Sequence, residues 1–90
     1  MSATLFVRHT VADYDSWRTV YNETDTLRVD HGCTGQQVMR VPGDPTDVAA
    51  THTFPTVEQA EAFAADPALK AAMERAGVTS APRIEIFENS

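Results

Sequence analysis

The sequence is poor in cysteine and lysine. Cys33 is the only cysteine, which excludes a disulfide within these residues and any cysteine-rich metal knuckle. Lys70 is the only lysine, and 7 basic against 13 acidic residues give a formal charge of −6. This balance argues against nucleic acid and against anionic membrane surfaces, because both are bound by clustered Lys and Arg.

Long apolar runs and cofactor motifs are also missing. No stretch approaches the roughly 20 apolar residues of a membrane-spanning helix, and no basic-then-apolar signal opens the chain. No glycine-rich phosphate loop, nucleophile elbow or flavin signature occurs. We therefore expect a cytoplasmic protein without a cofactor, and with no nucleic-acid or membrane partner.

Bulky apolar residues are scarce for a chain of 90 residues. Leu, Ile, Val and Phe together number 18, whereas alanine alone accounts for 13. The length allows one domain, residues 1–90, and the composition leaves a lone monomer short of buried apolar surface. A second copy of the chain is the simplest source of the missing burial.

Hydrophobic periodicity predicts four strands and two helices. Alternating β-branched and aromatic residues predict the strands, at Thr4 to Val11, Gln36 to Val41, Val48 to Phe54 and Arg83 to Phe87. Apolar residues at three- and four-residue steps after Asp13 predict one helix of about five turns, ended by Gly32. The other helix begins at Thr56, where TVEQ forms a capping box, and ends at Gly77; Asp66-Pro67 interrupts it, but Asp as a cap and Pro at the first position restart a helix well.

The order strand, helix, strand, strand, helix, strand predicts an α+β fold of the ferredoxin-like type, βαββαβ. Right-handed crossovers give a four-stranded antiparallel sheet in the order 4-1-3-2, with both helices on one face. In this arrangement we expect strands one and three to be neighbours and to run parallel. Residues 42–47 (PGDPTD) are dense in turn formers and predict a hairpin loop of about six residues.

The two faces of this sheet differ in polarity. Leu5, Val7 and His9 alternate with Phe6 and Arg8 along the first strand. The outer face combines phenylalanines with charges and predicts a two-fold contact with a second copy, through Phe6, Arg8, Glu85 and Phe87. We expect Arg8 and Glu85 to form an ion pair across neighbouring strands.

Two histidines on the inner face are the candidate catalytic residues. His9 and His52 are predicted to lie on neighbouring strands of the apolar face, where burial keeps an imidazole neutral and available as a base. The plainer interpretation is a pair of part-buried histidines that bond to backbone carbonyls. Together they provide only two of the three ligands of a catalytic zinc site, so no metal is expected.

Aromatic side chains are predicted to face these histidines. They form a candidate binding pocket for a flat, oxygenated molecule, namely Trp17, Tyr21, Phe54 and Phe63. Ordinary core packing explains the same pattern. A buried tyrosine hydroxyl needs a partner, which His9, His52 or a ligand can provide. His31 is interpreted as a helix C-terminal cation and Cys33 as incidental, while Arg40 receives no role.

Three stretches resemble a known superfamily: VRHTVADYDSWRTVY, GDPTD and HTFPTVEQAEAFAADPALKAAMERAGV. They are similar to small dimeric α/β-barrel proteins related to antibiotic-biosynthesis monooxygenases and polyketide cyclases. The resemblance implies that two sheets close into one barrel, with a small-molecule cavity inside each subunit. Haem-degrading relatives use a tryptophan near the end of the third strand and a helical histidine. Phe54 occupies the former position here, and the second helix has no histidine.

Two functions remain open at this point. The first is a cofactor-independent homodimeric enzyme of the cyclase, isomerase or monooxygenase type, which acts on a hydrophobic, oxygenated molecule through a histidine base. The second is a non-catalytic binding or accessory dimer of the same fold. A cavity filled by Trp17 and Phe63 favours the second. RNA-recognition domains share this element order, but this sequence lacks the basic and aromatic sheet residues with which they bind RNA.

Overall fold

A computed structural model describes all residues, 1–90. Its elements follow in the order β1 (Ala3–Thr10), α1 (Tyr14–Glu23), α2 (Asp25–Asp30), β2 (Gly35–Val41), β3 (Asp44–Phe54), α3 (Val57–Ala65), α4 (Pro67–Arg75) and β4 (Arg83–Glu88). The longest helix, α1, has 10 residues, and none of the helices has the apolar length that a bilayer crossing requires.

The sheet has the predicted order, β2-β3-β1-β4, and every neighbouring pair is antiparallel. The expectation that strands one and three run parallel was wrong. The helical crossover makes β1 parallel to β2, and β3 returns from β2 by a hairpin. Because β3 is inserted between the two, it must run antiparallel to both. In the β1–β3 register, Leu5 faces His52 and His9 faces Val48.

The predicted first helix is two helices, because Thr24 interrupts it. The Thr24 hydroxyl bonds to the carbonyls of Val20, at 3.1 Å, and Tyr21, at 2.9 Å. Such back-bonding competes with the regular helical ladder and bends helices. Thr24 therefore caps α1 and starts α2 with a non-helical backbone. The second predicted helix is divided at Asp66-Pro67, where Asp66 caps α4 through the Ala68 amide.

The hairpin loop is shorter than predicted. Only Pro42 and Gly43 form the turn, and Gly43 takes a φ of 82° that favours glycine. β3 begins at Asp44 rather than Val48, after a register shift between Arg40 and Val41. The turn residues after Gly43 can join an edge of the ladder because a bulge absorbs the mismatch in length.

The core lies between the inner face of the sheet and the helices, as predicted. Leu5, Val48 and Phe54 are its largest fully buried side chains. One cluster centres on Phe54 and Phe63, and a second gathers Trp17 and Tyr21. Ile84, which lines the inner side of the edge strand β4, remains 37% exposed. The burial alternation along β1 and β3 follows the parity read from the sequence.

The outer face carries the predicted residues but not the predicted ion pair. Arg8 bonds to both carboxylate oxygens of Asp47, at 3.0 and 2.9 Å, and Glu85 pairs with Arg83 on its own strand at 3.0 Å. The register makes both Asp47 on β3 and Glu85 on β4 diagonal cross-strand neighbours of Arg8. Arg8 pairs with Asp47, whereas Glu85 is taken by Arg83. Phe87 is 54% exposed on this face.

Candidate functional site

A mostly apolar cavity lies between the inner face of the sheet and the helices. Its volume is about 50 Å³, enough for a few water molecules, and 12 of its 16 lining residues are hydrophobic. Strands β1, β3 and β4 and all four helices contribute lining residues. Five of the predicted site residues occur in the lining together with one that was not predicted: His9, Trp17, Tyr21, His52, Phe63 and, as the unpredicted one, Arg28.

His52 is the most deeply buried ionisable group of this cavity. The even-numbered positions of β3 point inward, so His52 is 3% exposed. Its Nε2 lies 3.1 Å from the hydroxyl of Tyr21, and its Nδ1 has no partner. Burial, which is the larger cause, and the positive charge of Arg28 together lower the pKa of His52 from 6.5 to about 4. The imidazole is therefore neutral at pH 7.

Tyr21 reaches His52 from α1. It follows Trp17 by one helical turn, and the two rings stack with centroids 4.9 Å apart. Asp13 fixes the start of this helix, because its side chain accepts a bond from the Ser16 amide at 2.9 Å. Desolvation raises the pKa of Tyr21, so its hydroxyl keeps its proton at neutral pH. His52 is thus the partner that the buried tyrosine was expected to need.

His9 occupies a separate part of the cavity. It is 5% exposed, and its ring meets the ring of Trp17 edge-on at 5.8 Å. The ladder register puts His9 four positions away from His52, roughly 13 Å along the strands. Desolvation lowers the pKa of His9, and its Nδ1 has no partner. The two histidines share one face, as predicted, but they are too far apart to act on one atom.

The predicted aromatic residues form a continuous row. Ring centroids along the row are 5.8 Å apart from His9 to Trp17, 4.9 Å from Trp17 to Tyr21 and 6.0 Å from Tyr21 to His52. Phe63 continues it, 5.6 Å from His52. Phe54 was expected in the pocket wall, but it is fully buried behind Phe63 and does not line the cavity. Strand parity gave its face correctly but not its depth.

Arg28 is the residue that sequence analysis missed. It lies on α2 and is only 4% exposed. Its Nη2 donates to the Tyr21 carbonyl at 2.7 Å, its Nη1 donates to Thr24 Oγ1 at 3.2 Å, and its guanidinium carbon sits 4.0 Å from the centre of the Tyr21 ring. The helical spacing put position 28 on the apolar stripe, which was the available signal. Its hydrogen-bond partners, Thr24 and the Tyr21 carbonyl, lie at the break between α1 and α2, which the sequence pattern did not predict.

The remaining polar candidates lie outside the cavity. His31 ends α2 as expected, and its Nε2 meets the Asp66 carboxylate at 2.8 Å. Arg40 stacks over the Tyr14 ring at 4.3 Å, a contact that was not predicted. Cys33 is free, and its thiol donates to the Gly35 carbonyl. No group of three His, Cys, Asp or Glu side chains converges anywhere in the structure.

Comparison with known proteins identifies the fold. No protein-family model matches the sequence, and no curated protein matches it. Among solved structures, SnoaB from Streptomyces nogalater, a cofactor-independent oxygenase, matches with a TM-score of 0.80 and 14% identity, over 99% of this chain and 93% of that one.

Two further structures have the same architecture. A Bordetella bronchiseptica protein, provisionally described as an antibiotic biosynthesis monooxygenase, gives a TM-score of 0.82 at 12% identity, over 99% and 97% of the two chains. Protein NE2512 of unknown function from Nitrosomonas europaea gives 0.76 at 19% identity, over 98% and 88%. The chain therefore has the ferredoxin-like fold of the antibiotic biosynthesis monooxygenase structures.

Proposed function

We propose that the protein is a small cofactor-independent enzyme that removes a proton from a hydrophobic, oxygenated molecule, with His52 as the base. One observation carries this proposal: a buried, neutral imidazole bonded to a tyrosine hydroxyl in the wall of an apolar cavity. Proton abstraction next to a carbonyl needs a positioned base and exclusion of water, and it needs no cofactor.

The hydrogen bonds of His52 indicate which nitrogen is the base. A buried N–H without an acceptor is rare, so we place the proton on Nε2, where Tyr21 accepts it. Nδ1 then carries the free lone pair. The Tyr21 hydroxyl remains able to donate its own proton to a substrate oxygen. In this arrangement Nδ1 takes the proton from carbon while Tyr21 stabilises the oxygen on which negative charge develops.

The low pKa of His52 restricts the substrate class. A base with a pKa of about 4 is weak, so it requires a carbon acid whose anion is already stabilised by conjugation. Polyketide-like and phenolic aromatic ketones have this property. The positive charge of Arg28 contributes as well, because the electrostatic effect that lowers the pKa of His52 also lowers the pKa of a bound acid.

The fate of the enolate distinguishes three reactions. Reprotonation at another carbon is isomerisation, attack on a second carbonyl of the same molecule is cyclisation, and reaction with O2 is oxygenation. For an anthrone, O2 converts the CH2 group to a carbonyl and releases one water. The structural similarity to SnoaB, a cofactor-independent oxygenase, supports oxygenation among the three. All three begin with the same deprotonation.

The test therefore measures the shared step. The protein is incubated anaerobically in D2O with 1,8-dihydroxyanthrone, and with a β-diketone such as 1-phenyl-1,3-butanedione, and exchange of the acidic C–H is followed by NMR. We expect exchange to be faster than in buffer of the same pH. If the protein is an oxygenase, O2 uptake follows when air is admitted to the sample. Exchange at the buffer rate with both compounds would contradict the proposal.

His9 is proposed as a second acid-base group at the far end of the cavity. It is neutral at pH 7 because desolvation lowers its pKa, and its free Nδ1 can bond a remote oxygen of an extended substrate. Trp17 and Tyr21 lie between the two histidines and offer a flat surface to an aromatic ring. Phe63 closes the row beside His52.

We also propose that the functional unit is a homodimer, joined through the outer face of the sheet. Phe6 and Phe87 lie on this face beside the Arg8–Asp47 and Arg83–Glu85 pairs, and Phe87 is 54% exposed. A face that mixes apolar rings with already paired charges suits a self-complementary contact.

The dimer gives a direct prediction. In sedimentation at micromolar concentration, the wild-type chain is expected at twice its 9.8 kDa mass, and Phe87→Glu is expected as a monomer because it buries a charge in the contact. Val29→Glu is the matched control, since Val29 is a similarly exposed apolar residue on α2, outside the sheet. A monomeric wild-type chain would refute the proposed interface.

A non-catalytic binding or accessory role is the second candidate, and one observation favours it. The cavity of about 50 Å³ is far smaller than the roughly 300–1,000 Å³ of ordinary ligand pockets, because Trp17, Tyr21 and Phe63 fill much of the space. A substrate of several rings must displace these side chains. Ligand binding without exchange in the D2O experiment would establish this second role.

A further inference from the structure

Arg28 brings a positive charge into a cavity that contains no other. Arg28 is the only Lys, Arg, Asp or Glu among the 16 lining residues, and only 4% of it is exposed. The nearest carboxylate, Asp25, lies 3.5 Å from Nη2 and is itself 60% exposed. A buried cation whose only counter-ion is mostly in water is poorly compensated.

The hydrogen bonds of Arg28 are incomplete in a specific way. A guanidinium has five N–H donors, and the structure uses one on Nη1 and one on Nη2, toward Thr24 and Tyr21. The buried Nε has no partner at all. Leaving a buried charged donor unpaired is costly, and a ligand that supplies an acceptor to Nε would remove this cost.

Arg28 also stands at a boundary between two spaces. On one side is the apolar cavity with His52 and Tyr21, and on the other is an outer recess of about 200 Å³. The recess is largely polar, with Asp25, Thr34 and Gln36 in its wall. A ligand with a hydrophobic body in the cavity would therefore place its polar end at the guanidinium.

We propose that the cavity binds a hydrophobic organic acid, whose carboxylate is held by Arg28 while its apolar body lies against the Trp17–Tyr21 stack. The inference rests on the proposed function in that it uses the same cavity, and it names the substrate class more narrowly. Arg28 Nε–H and the unused N–H bonds supply the fork that a carboxylate accepts. Its cation also stabilises an enolate formed by His52.

A binding experiment with an acid and its amide tests this inference without requiring turnover. Cinnamate and cinnamamide have the same ring and nearly the same shape, but only the acid is charged at pH 7. Calorimetric titration is expected to show that the wild-type protein binds cinnamate on the order of 10- to 100-fold more tightly than the amide. Equal affinity for the two, or no binding of either, would overturn the inference.

Variants at position 28 locate the preference. Arg28→Met is expected to remove the preference for the acid, and Arg28→Lys to keep part of it, because the lysine retains the charge but not the fork. Arg75→Met is the matched control, since Arg75 is exposed near the end of α4 and has no contact with the cavity. A full acid preference in folded Arg28→Met would show that the carboxylate binds elsewhere.

A spectroscopic readout keeps the test decisive if Arg28→Met folds poorly. Trp17 is the only tryptophan, so its indole N–H gives a single amide-spectrum resonance from the cavity wall. Cinnamate is expected to shift this resonance in the wild-type protein, and an unshifted signal at saturation would contradict binding in the cavity. Binding of the acid without C–H exchange in any ketone would support this inference and refute the proposed chemistry. C–H exchange in the ketones without a preference for the acid would support the proposed chemistry and refute this inference.

Discussion

Replacement of His52 by glutamine is expected to slow proton abstraction by roughly 10²- to 10⁴-fold while the chain stays folded. Glutamine keeps a polar group within reach of the Tyr21 hydroxyl, so the packing at the end of β3 is largely conserved. It has no basic nitrogen, so the lone pair that accepts the proton is lost. The measurement is the rate of C–H exchange in D2O with the same ketones as for the wild-type protein.

Two further variants separate catalysis from structure. His31→Gln removes an imidazole that pairs with Asp66 outside the cavity, and it is expected to leave the exchange rate unchanged. Tyr21→Phe removes only the hydroxyl, and it is expected to cost less than His52→Gln because the base itself remains. An exchange rate in His52→Gln within a factor of two of the wild type would eliminate His52 as the base.

The second large effect concerns stability at acid pH. The pKa of His52 is about 4 in the folded protein and 6.5 in the unfolded chain, so the unfolded state binds more protons between these values. The stability that the protein gains from a neutral His52 is therefore complete above pH 6.5. It is lost as the pH falls from 6.5 toward 4, and it is absent below pH 4. A difference of this size corresponds to a loss of about 3 kcal/mol in the free energy of unfolding.

The comparison that isolates this effect is between the wild type and His52→Gln. Urea unfolding at pH 7, 5.5 and 4 gives the free energy of both proteins, and the difference between them is expected to change by about 3 kcal/mol over this range. Protonation of Asp47 and Asp66, whose pKa values are lowered by Arg8 and His31, also lowers the free energy of unfolding in acid. Both proteins share these carboxylates, so their effect cancels. Parallel pH profiles would contradict the buried, neutral state of His52.

Much of the fold was predictable because local chemistry and global pattern agree. Alternation along β1 gave the buried face from Leu5 to His9, and the same parity placed His52 inside. The capping signals at Thr56 and Asp66 were read correctly, since each side chain accepts a bond from an amide two or three residues ahead. Strand parity and helical spacing for this reason predicted most of the side chains that line the cavity.

The features that escaped prediction depend on register or on side-chain competition. Arg8 has one carboxylate as a diagonal neighbour on each side, Asp47 on β3 and Glu85 on β4, and strand patterning carries no information on which of them it bonds. The break at Thr24 arises from a hydroxyl that competes with backbone bonds, which helical periodicity does not reveal. Arg28 bonds to the Thr24 hydroxyl and the Tyr21 carbonyl at that break.

The central claim, that His52 is neutral and shielded from water beside Tyr21, is tested most directly by NMR titration of the three imidazoles. The ring C–H signal of His52, assigned by its absence in His52→Gln, is expected to stay constant from pH 8 to about pH 5.5 and to titrate with a midpoint near 4. A midpoint between 6 and 7 would show an ordinary, hydrated imidazole and would contradict the account.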